Sequence, residues 1–473
     1  MEEMAELGKQ KLPRSAPVYP LPLAWNGLSE APMLNWNTIS DHDSYNTERF
    51  TLLKLLEGST TKPYVDGVGD ATIGIGFNLV YNLEPVLRVI VGNAHWSQTL
   101  ETRLAAQIDK SYSPSQSALL IANLNAVMKD WHNNHDASVP TTFAFKSEAQ
   151  IATALDSLDN YYDGRIDAWV SGIPDSSERA ALFSLCWNAP GMLGPKLKAA
   201  IDSGDRAEAW YEIRYNSLSS SLPDSVKAGI ANRRYVEADT FNLYHNDARA
   251  TYAEALDAGR MVASHHTTLL AYEATYDPLK AAAIKGVSTI TTIDTELQPA
   301  ITAVLRKFQL SVDHRLEELL ATDSGSARLS GDGTGYDNSR NDDDLLLGDS
   351  ARNRLSGNAG ADVLIGLKGA DTLTGGKGAD LFVFTAAADS TMAGRGDTIT
   401  DFAAGDRLAF AGKTEFHLLA GRGDSFSGDM AELRWFWSGA NTVVEADYDG
   451  DGHADLHVTL TGRHALSADD FAL

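Results

Sequence analysis

The chain has 473 residues, 43% of them hydrophobic, and a net charge of −25. That is enough apolar content for two or three domains, and the charge argues against nucleic acid or an anionic membrane surface as a partner. No run of about 18 apolar residues occurs, so no membrane span is expected, and a single cysteine, Cys186, excludes an intrachain disulfide.

Residues 1–45 are polar and carry Pro13, Pro17, Pro20, Pro22 and Pro32, which predicts an extended lead-in with Trp25 and Trp36 as packing anchors. The start, MEEMAELGKQKLPR, has no apolar core of the secretory kind, so no Sec signal is expected. Thr47 to Leu56 has helical spacing, with Asn46 as its N-cap and Glu57-Gly58 as its end. Tyr64-Val65 reads as a short strand, Asp66 to Asp70 as a turn, and Ala71 to Phe77 as a strand. Its one face carries Ile73, Ile75 and Phe77; the other carries Thr72, Gly74 and Gly76 and leaves bare backbone. Folding this hairpin back brings Glu57, Asp66 and Thr72 towards one cleft. Two carboxylates and a hydroxyl are the parts a glycosidase needs, although spacing alone favours a surface hairpin with solvated carboxylates.

The same residues, with the TIGIG run, resemble the phage-type lysozymes, endolysin muramidases that cut peptidoglycan. ALFSLCWNAPG (Ala181–Gly191) looks like that family's central helix, and ANRRYVEADTF (Ala231–Phe241) like its Arg-bearing final helix. Phe77 departs from the histidine often found there and reads as a packing change. The resemblance implies a mainly α (α+β) lysozyme-like domain over 46–245 with a small β-hairpin lobe. It makes Glu57 the general acid, Asp66 the carboxylate that acts on water from the opposite face, and Thr72 the holder of that water. Arg233 would contact Glu57, Asn188 would face the sugars, and Tyr64 and Gly74 would help bind or orient substrate. No cofactor is implied for the reaction.

An insertion at about 78–144 holds helices at Leu83–Val91 and Ser115–Trp131 and a loop at Asp136–Phe145; it reads as a lid beside the cleft or as padding. His132 and His135 read as solvated loop residues. Helical spacing returns over Ser147–Val170, Ser177–Trp187, Lys196–Ile201 and Asp205–Tyr215, and a polar loop covers Ser217–Asp224. Residues 246–322 form a helical connector. His265 and His266 are adjacent there, so they face apart and make a poor metal pair.

Over 323–473 a nine-residue repeat sets in: GNAGADVLI at Gly357, GLKGADTLT at Gly366 and GGKGADLFV at Gly375. Degenerate units precede them, GDSARNRLS at Gly348 and SRNDDDLLL at Ser339. Glycines permit the turn, the aspartate offers a hard oxygen ligand, and the eighth, apolar residue points into a thin core. The pattern resembles the RTX repeats, which wind as an all-β parallel β-roll and hold Ca²⁺ between turns. That resemblance makes Asp344, Asn353, Gly357, Gly360, Asp362, Gly366, Gly369, Asp371, Gly375, Gly378 and Asp380 the metal-site residues, with Asp397 and Asp401 as further candidates. Asp344, Asp362 and Asp380 should share one side of the roll, and Asn353 and Asp371 the other. In DYDGDGHAD, the residues Asp447, Asp449, Asp451 and Asp455 either bind Ca²⁺ or form a turn; Val458 stands where an EF-hand needs its bidentate Glu.

GDTITDFAAGDRL and the tail from Gly428 look like the β-sandwich after the roll in serralysin-type proteases, while the H-E-x-x-H of their zinc half is absent. DDFAL resembles an uncleaved C-terminal signal for type I secretion. So acidic a tail should stay unfolded until a cation binds. The reading is therefore a multidomain, secreted, extracellular N-acetylmuramidase. It cleaves the β-1,4 bond between MurNAc and GlcNAc of the peptidoglycan glycan strand, carries a structural Ca²⁺ tail, and has the type I secretion machinery as a partner. A glycanase on chitosan or an exopolysaccharide, and a non-catalytic calcium-dependent wall-binding protein, are the alternatives.

Overall fold

The computed structural model describes residues 34–216, 224–246, 249–280, 291–322, 328–330, 343–391, 396–411, 416–419 and 423–472. The proline-rich lead-in with Trp25, the 217–223 loop and residues 339–342 of the first repeat lie outside them. The chain divides into two compact units, residues 1–204, 212–242 and 283–287 in the first and 205–211, 243–282 and 288–473 in the second. The connector expected at 246–322 thus falls mostly within the unit that holds the repeats.

In the first unit, helix α1 spans His42–Glu57. It begins earlier than its apolar stripe suggests, because Asp41 rather than Asn46 caps it, accepting the Ser44 N–H at 2.8 Å. Asn46 instead accepts from Arg49 at 2.7 Å. Strands β1 (Thr60–Val65), β2 (Ala71–Gly74) and β3 (Phe77–Asn78) make an antiparallel sheet in that order. The strand expected to run through to Phe77 is instead broken at Ile75-Gly76, and the reversal pairs Ile73 with Phe77 and Thr72 with Asn78. Gly74 sits at φ +73, and a Cβ there would meet the Phe77 ring at 2.5 Å and Ile151 at 3.2 Å. Its face is therefore covered rather than bare, and the glycine serves the turn.

The insertion is a folded layer: α2 (Leu79–Val91), α3 (Gln98–Ile108) and α4 (Ser117–Asn134). Helix α3 escaped the sequence reading although Leu100, Leu104 and Ile108 form a buried stripe. His132 and His135 belong to the end of α4 rather than to a loop: the first bonds the Val139 carbonyl at 2.7 Å, and the second stacks on Trp131. Then come α5 (Glu148–Trp169), α6 (Ser177–Asn188), α7 (Pro195–Ser203) and, after α8 (Arg206–Arg214), whose residues 206–211 count with the second unit, α9 (Asp224–Phe241). Helix α6 is buried from Glu178 to Cys186. Against it, the buried Arg49 of α1 lies 4.5 Å from the Phe183 ring and donates to Asp163 at 2.8 Å, so the buried charge is paired. Cys186 is buried and its thiol is pushed up to about 11 by burial, as befits a small apolar residue rather than a nucleophile. Phe77 is buried edge-on to Phe145 and Trp187.

In the second unit, α10 (Tyr252–Lys280), α11 (Ile293–Glu296) and α12 (Gln298–Phe308) precede the strands. β4 (Glu318–Ala321), β6 (Asp344–Leu347), β8 (Val363–Ile365), β10 (Leu381–Phe384), β12 (Arg407–Phe410) and β17 (Phe471–Ala472) stack in parallel as one sheet. β5 (Arg328–Ser330), β7 (Arg354–Ala359), β9 (Thr372–Lys377) and β11 (Asp397–Ile399) stack likewise in the other. Successive strands go to alternate sheets, which is a parallel roll. The eighth residues of the units, Leu346, Leu355, Leu364, Leu373 and Phe382, are all fully buried between the sheets. The last part does not build a separate sandwich. β13 (His417–Leu418), β14 (Glu432–Ser438), β15 (Asn441–Asp447) and β16 (Leu456–Leu460) extend the second sheet through the β16–β11 pairing.

Helix α10 covers the edge strand β4. Gly259 lies against Ala321, Arg260 donates to the Thr322 carbonyl at 3.2 Å, and His266 pairs with Glu318 at 2.9 Å. An uncovered parallel edge would invite pairing with another chain. His265 turns away, to Glu208 at 2.9 Å and onto the Tyr211 ring.

Candidate functional site

The first candidate site lies where α1 ends. Glu57 is its last residue, and its Oε1 accepts from Arg233 Nη1 at 2.5 Å. Arg233 is held in turn by Glu237 at 3.0 Å and by the carbonyl and hydroxyl of Ser184 at 3.2 and 3.1 Å. Glu237 is fully buried and also receives Arg234 and the Ser184 hydroxyl. Arg234 donates to Asn188 Oδ1 at 2.7 Å, which ties Asn188 to the same ion-pair cluster.

On the hairpin, Asp66 Oδ1 accepts the N–H groups of Val68 and Asp70 at 3.0 and 2.9 Å, and Thr72 Oγ1 lies 3.4 Å from Asp66 Oδ2. Thr72 is 3% exposed, and its hydroxyl also faces the Asp70 carbonyl at 3.3 Å. Asp70 is occupied by the Asn78 amide at 2.9 Å. Half-buried Tyr64 has its phenol raised by burial, then by Asp66 and Glu57, so it stands near both carboxylates. Of the residues expected here, Glu57 is joined to Arg233, Asp66 faces Thr72, and Tyr64 feels both carboxylates, while Gly74 is a packing residue. Ser184, Arg234 and Glu237 went unnoticed in the sequence. Only the helical i, i+3 and i, i+4 spacing of Glu237 from the two arginines signals it.

The second candidate site is a pair of carboxylate rows on the roll. Along one side, the N–H of Asp344 donates to Asp362 Oδ1 at 2.8 Å, that of Asp362 to Asp380 at 3.0 Å, and that of Asp380 to Asp406 at 3.0 Å. Along the other, Asn353 donates to Asp371 at 2.7 Å and Asp371 to Asp397 at 2.8 Å. Each carboxylate thus ties its own turn to the preceding turn on the same side. The second oxygens of Asp371, Asp380 and Asp397 are buried without a hydrogen-bond partner. Burial, as the largest cause, pushes Asp371 up to about 7, Asp380 to about 6 and Asp397 to about 8.

Glycines frame these oxygens. A Cβ on Gly357, Gly366 or Gly375 would run into the carboxylate of Asp362, Asp371 or Asp380 respectively; one on Gly369 would strike the Ala351 carbonyl, and one on Gly378 the Gly360 carbonyl. Orphaned carboxylate oxygens beside turn carbonyls are a hard-oxygen donor set, which fits Ca²⁺. Asp401 differs from the expectation. Its two oxygens accept the Gly375 and Gly376 N–H groups at 3.1 and 2.9 Å, so it closes the last turn as a cap. Asp406 was missed because the row spacing lengthens beyond Asp380. In the 447–455 loop, oxygens of Asp447, Asp449 and Asp455 lie within 4.8 Å of one another. Asp451 lies outside that group and turns to the His453 N–H at 2.8 Å.

Residues 348–473 match the family Peptidase M10 serralysin C terminal. Among solved structures, the chain is similar to the AlgE6R2 subunit from the Azotobacter vinelandii mannuronan C5-epimerase, at 30% identity over 32% of this chain and 88% of that one, with a TM-score of 0.23. It is also similar to the AlgE6R3 subunit of that enzyme, at 31% identity over 30% and 84%, with a TM-score of 0.19. No curated protein matches the chain. No helix among the described residues is long and apolar enough to cross a membrane. The family match thus falls on the part of the chain that carries the carboxylate rows and supports a serralysin-type RTX tail there.

Proposed function

We propose that the first unit is a lysozyme-like peptidoglycan muramidase, exported with the calcium-binding roll as its tail. The observation that carries this reading is the contact of Arg233 with Glu57 at 2.5 Å, made across 176 residues of sequence beside a hairpin that presents Asp66 and Thr72. An arginine that grips a half-exposed carboxyl at a helix end orients it, and a merely solvated glutamate needs no such partner.

In this mechanism Glu57 gives its proton to the glycosidic oxygen as the bond from that oxygen to the anomeric carbon breaks. A water attacks the anomeric carbon from the opposite face, and Asp66 takes its proton. Thr72, against Asp66 Oδ2, positions that water. The configuration inverts. Asp371, Asp380 and Asp397, with the carbonyls of their turns, would hold Ca²⁺ in the tail, where it would supply folding energy and no chemistry.

The test is release of reducing ends from purified peptidoglycan, with chitosan and an exopolysaccharide in parallel. Wild-type protein should open peptidoglycan alone. Glu57→Gln should lose about 10²–10⁴-fold of that rate or more with its melting unchanged. Cleavage of chitosan in place of peptidoglycan would move the substrate to another amino-sugar polymer. Full activity in Glu57→Gln would remove the cleft from the reaction.

A further inference from the structure

In a protein of net charge −25, one cavity of the second unit is lined by three cations and, among the residues around it, no acid. It holds about 380 Å³ and lies between the start of α10 and the end of α12, lined by Arg249, Arg306 and Lys307 around Tyr252, with Ala250 and Ala303 as its apolar floor. Among the described residues none of the three cations has an acidic partner. The nearest acid, Glu254, is turned away into its own cap. It accepts the His245 N–H at 2.6 Å and the Thr251 N–H and hydroxyl at 2.8 and 2.7 Å. Arg306 and Lys307 oppose the negative end of α12, but one cation would serve there, and Arg249 arrives from a different segment. The Tyr252 ring is held edge-on by Phe308 at 5.6 Å, with Lys307 Nζ 5.7 Å from its centroid.

Guanidinium groups lining one cavity match an oxyanion, each able to bind it in two-pronged fashion. A fixed aromatic ring over small apolar side chains matches the face of a sugar ring. The volume lies at the lower end of the range for small-ligand sites and admits one or two sugar units. We infer that this cavity binds an acidic polysaccharide through a carboxylate or phosphate on its sugar chain, as a second glycan site that takes no part in bond cleavage. It would tether the enzyme to an anionic wall or matrix polymer, and it stands whether or not the cleft is a muramidase.

The experiment is binding of short oligogalacturonate, of a phosphorylated oligosaccharide and of a neutral chito-oligosaccharide to the full-length calcium-loaded protein, by calorimetry. The comparison variant is Arg249→Gln/Arg306→Gln, whose exposed positions leave the fold intact, as circular dichroism would verify. At least one anionic ligand should bind, weaken with added salt, and lose about tenfold or more of its affinity in the variant. Whichever of the two binds identifies the oxyanion. Binding of neither, or binding equally strong in the variant, overturns the assignment. A single Tyr252→Ala change should weaken the oligosaccharide and leave inorganic phosphate unaffected; equal loss for both would remove the sugar-stacking role.

Discussion

Removing Ca²⁺ should turn the tail into a pH-sensitive structure with an unusual sign. In the metal-free roll, Asp371, Asp380 and Asp397 keep their protons to about 7, 6 and 8 because burial penalises the charged form. In the unfolded chain they titrate near 3.8. A carboxyl whose folded-state value is raised stabilises the fold below its unfolded value, and that contribution is lost as pH climbs through the folded value. The window is therefore about pH 4 to 8, with the steepest loss below about 6, where all three groups are protonated in the fold and ionised in the unfolded chain, and the loss complete by about 8. At 1.36 kcal/mol for each tenfold change in proton affinity, the three together remove on the order of 10 kcal/mol by the top of the window. That is comparable to the whole stability of an ordinary domain, about 5–15 kcal/mol. With Ca²⁺ the sign reverses, since the metal takes the deprotonated carboxylates and displaces their protons. The assay is thermal unfolding of full-length, calcium-free protein from about pH 5.5 to pH 8, with limited proteolysis to separate tail from first unit, repeated in millimolar Ca²⁺. The calcium-free tail should lose on the order of 10–25 °C of melting temperature across that range, which holds about half of the total loss, while peptidoglycan cleavage by the first unit survives chelation. A calcium-free tail as stable at pH 8 as at pH 5.5 would refute the burial argument.

Gly378→Ala should act on the tail alone. The new Cβ would collide with the Gly360 carbonyl at a backbone φ of +142, costing about 1–3 kcal/mol or more, read as a higher calcium midpoint for folding with cleavage rate unchanged. Glu237→Gln should destabilise the first unit by about 3–5 kcal/mol in urea, because Arg233 and Arg234 lose the buried acid that both contact. A change under about 0.5 kcal/mol would show that the arginines find their compensation elsewhere. Asp397→Asn should raise calcium-free stability at pH 8 by removing a buried titrating group, while weakening calcium binding. A variant that loses stability in both states would contradict the ligand role.

Much of the tail was legible before any coordinates. A nine-residue period with glycines, an aspartate and one apolar residue repeats the same local geometry at every unit. Copies of one turn stack on themselves, so the division of Asp344, Asp362 and Asp380 from Asn353 and Asp371 follows from counting. The position of Glu57 at a helix end was similarly local, read from an apolar stripe that stops at Gly58. Where neighbours compete, the reading slipped. Asp41 outcompetes Asn46 as the cap because its carboxylate reaches the Ser44 N–H, and Gly74-Ile75-Gly76 turns because both glycines adopt positive φ.

What the sequence could not carry is anything settled by distant partners. Glu237 is one more helix glutamate until α6 brings Ser184 against it. Asp406 looks like a stray acid until the strands align it with a row interrupted by a longer loop. The connector reads as a spacer until α10 lies on β4 and pairs His266 with Glu318. Turn chemistry and periodicity reside in adjacent residues and survive in the bare sequence. The orphaned oxygens, the grip on Glu57 and the cationic cavity exist only once packing brings together groups that the chain holds far apart.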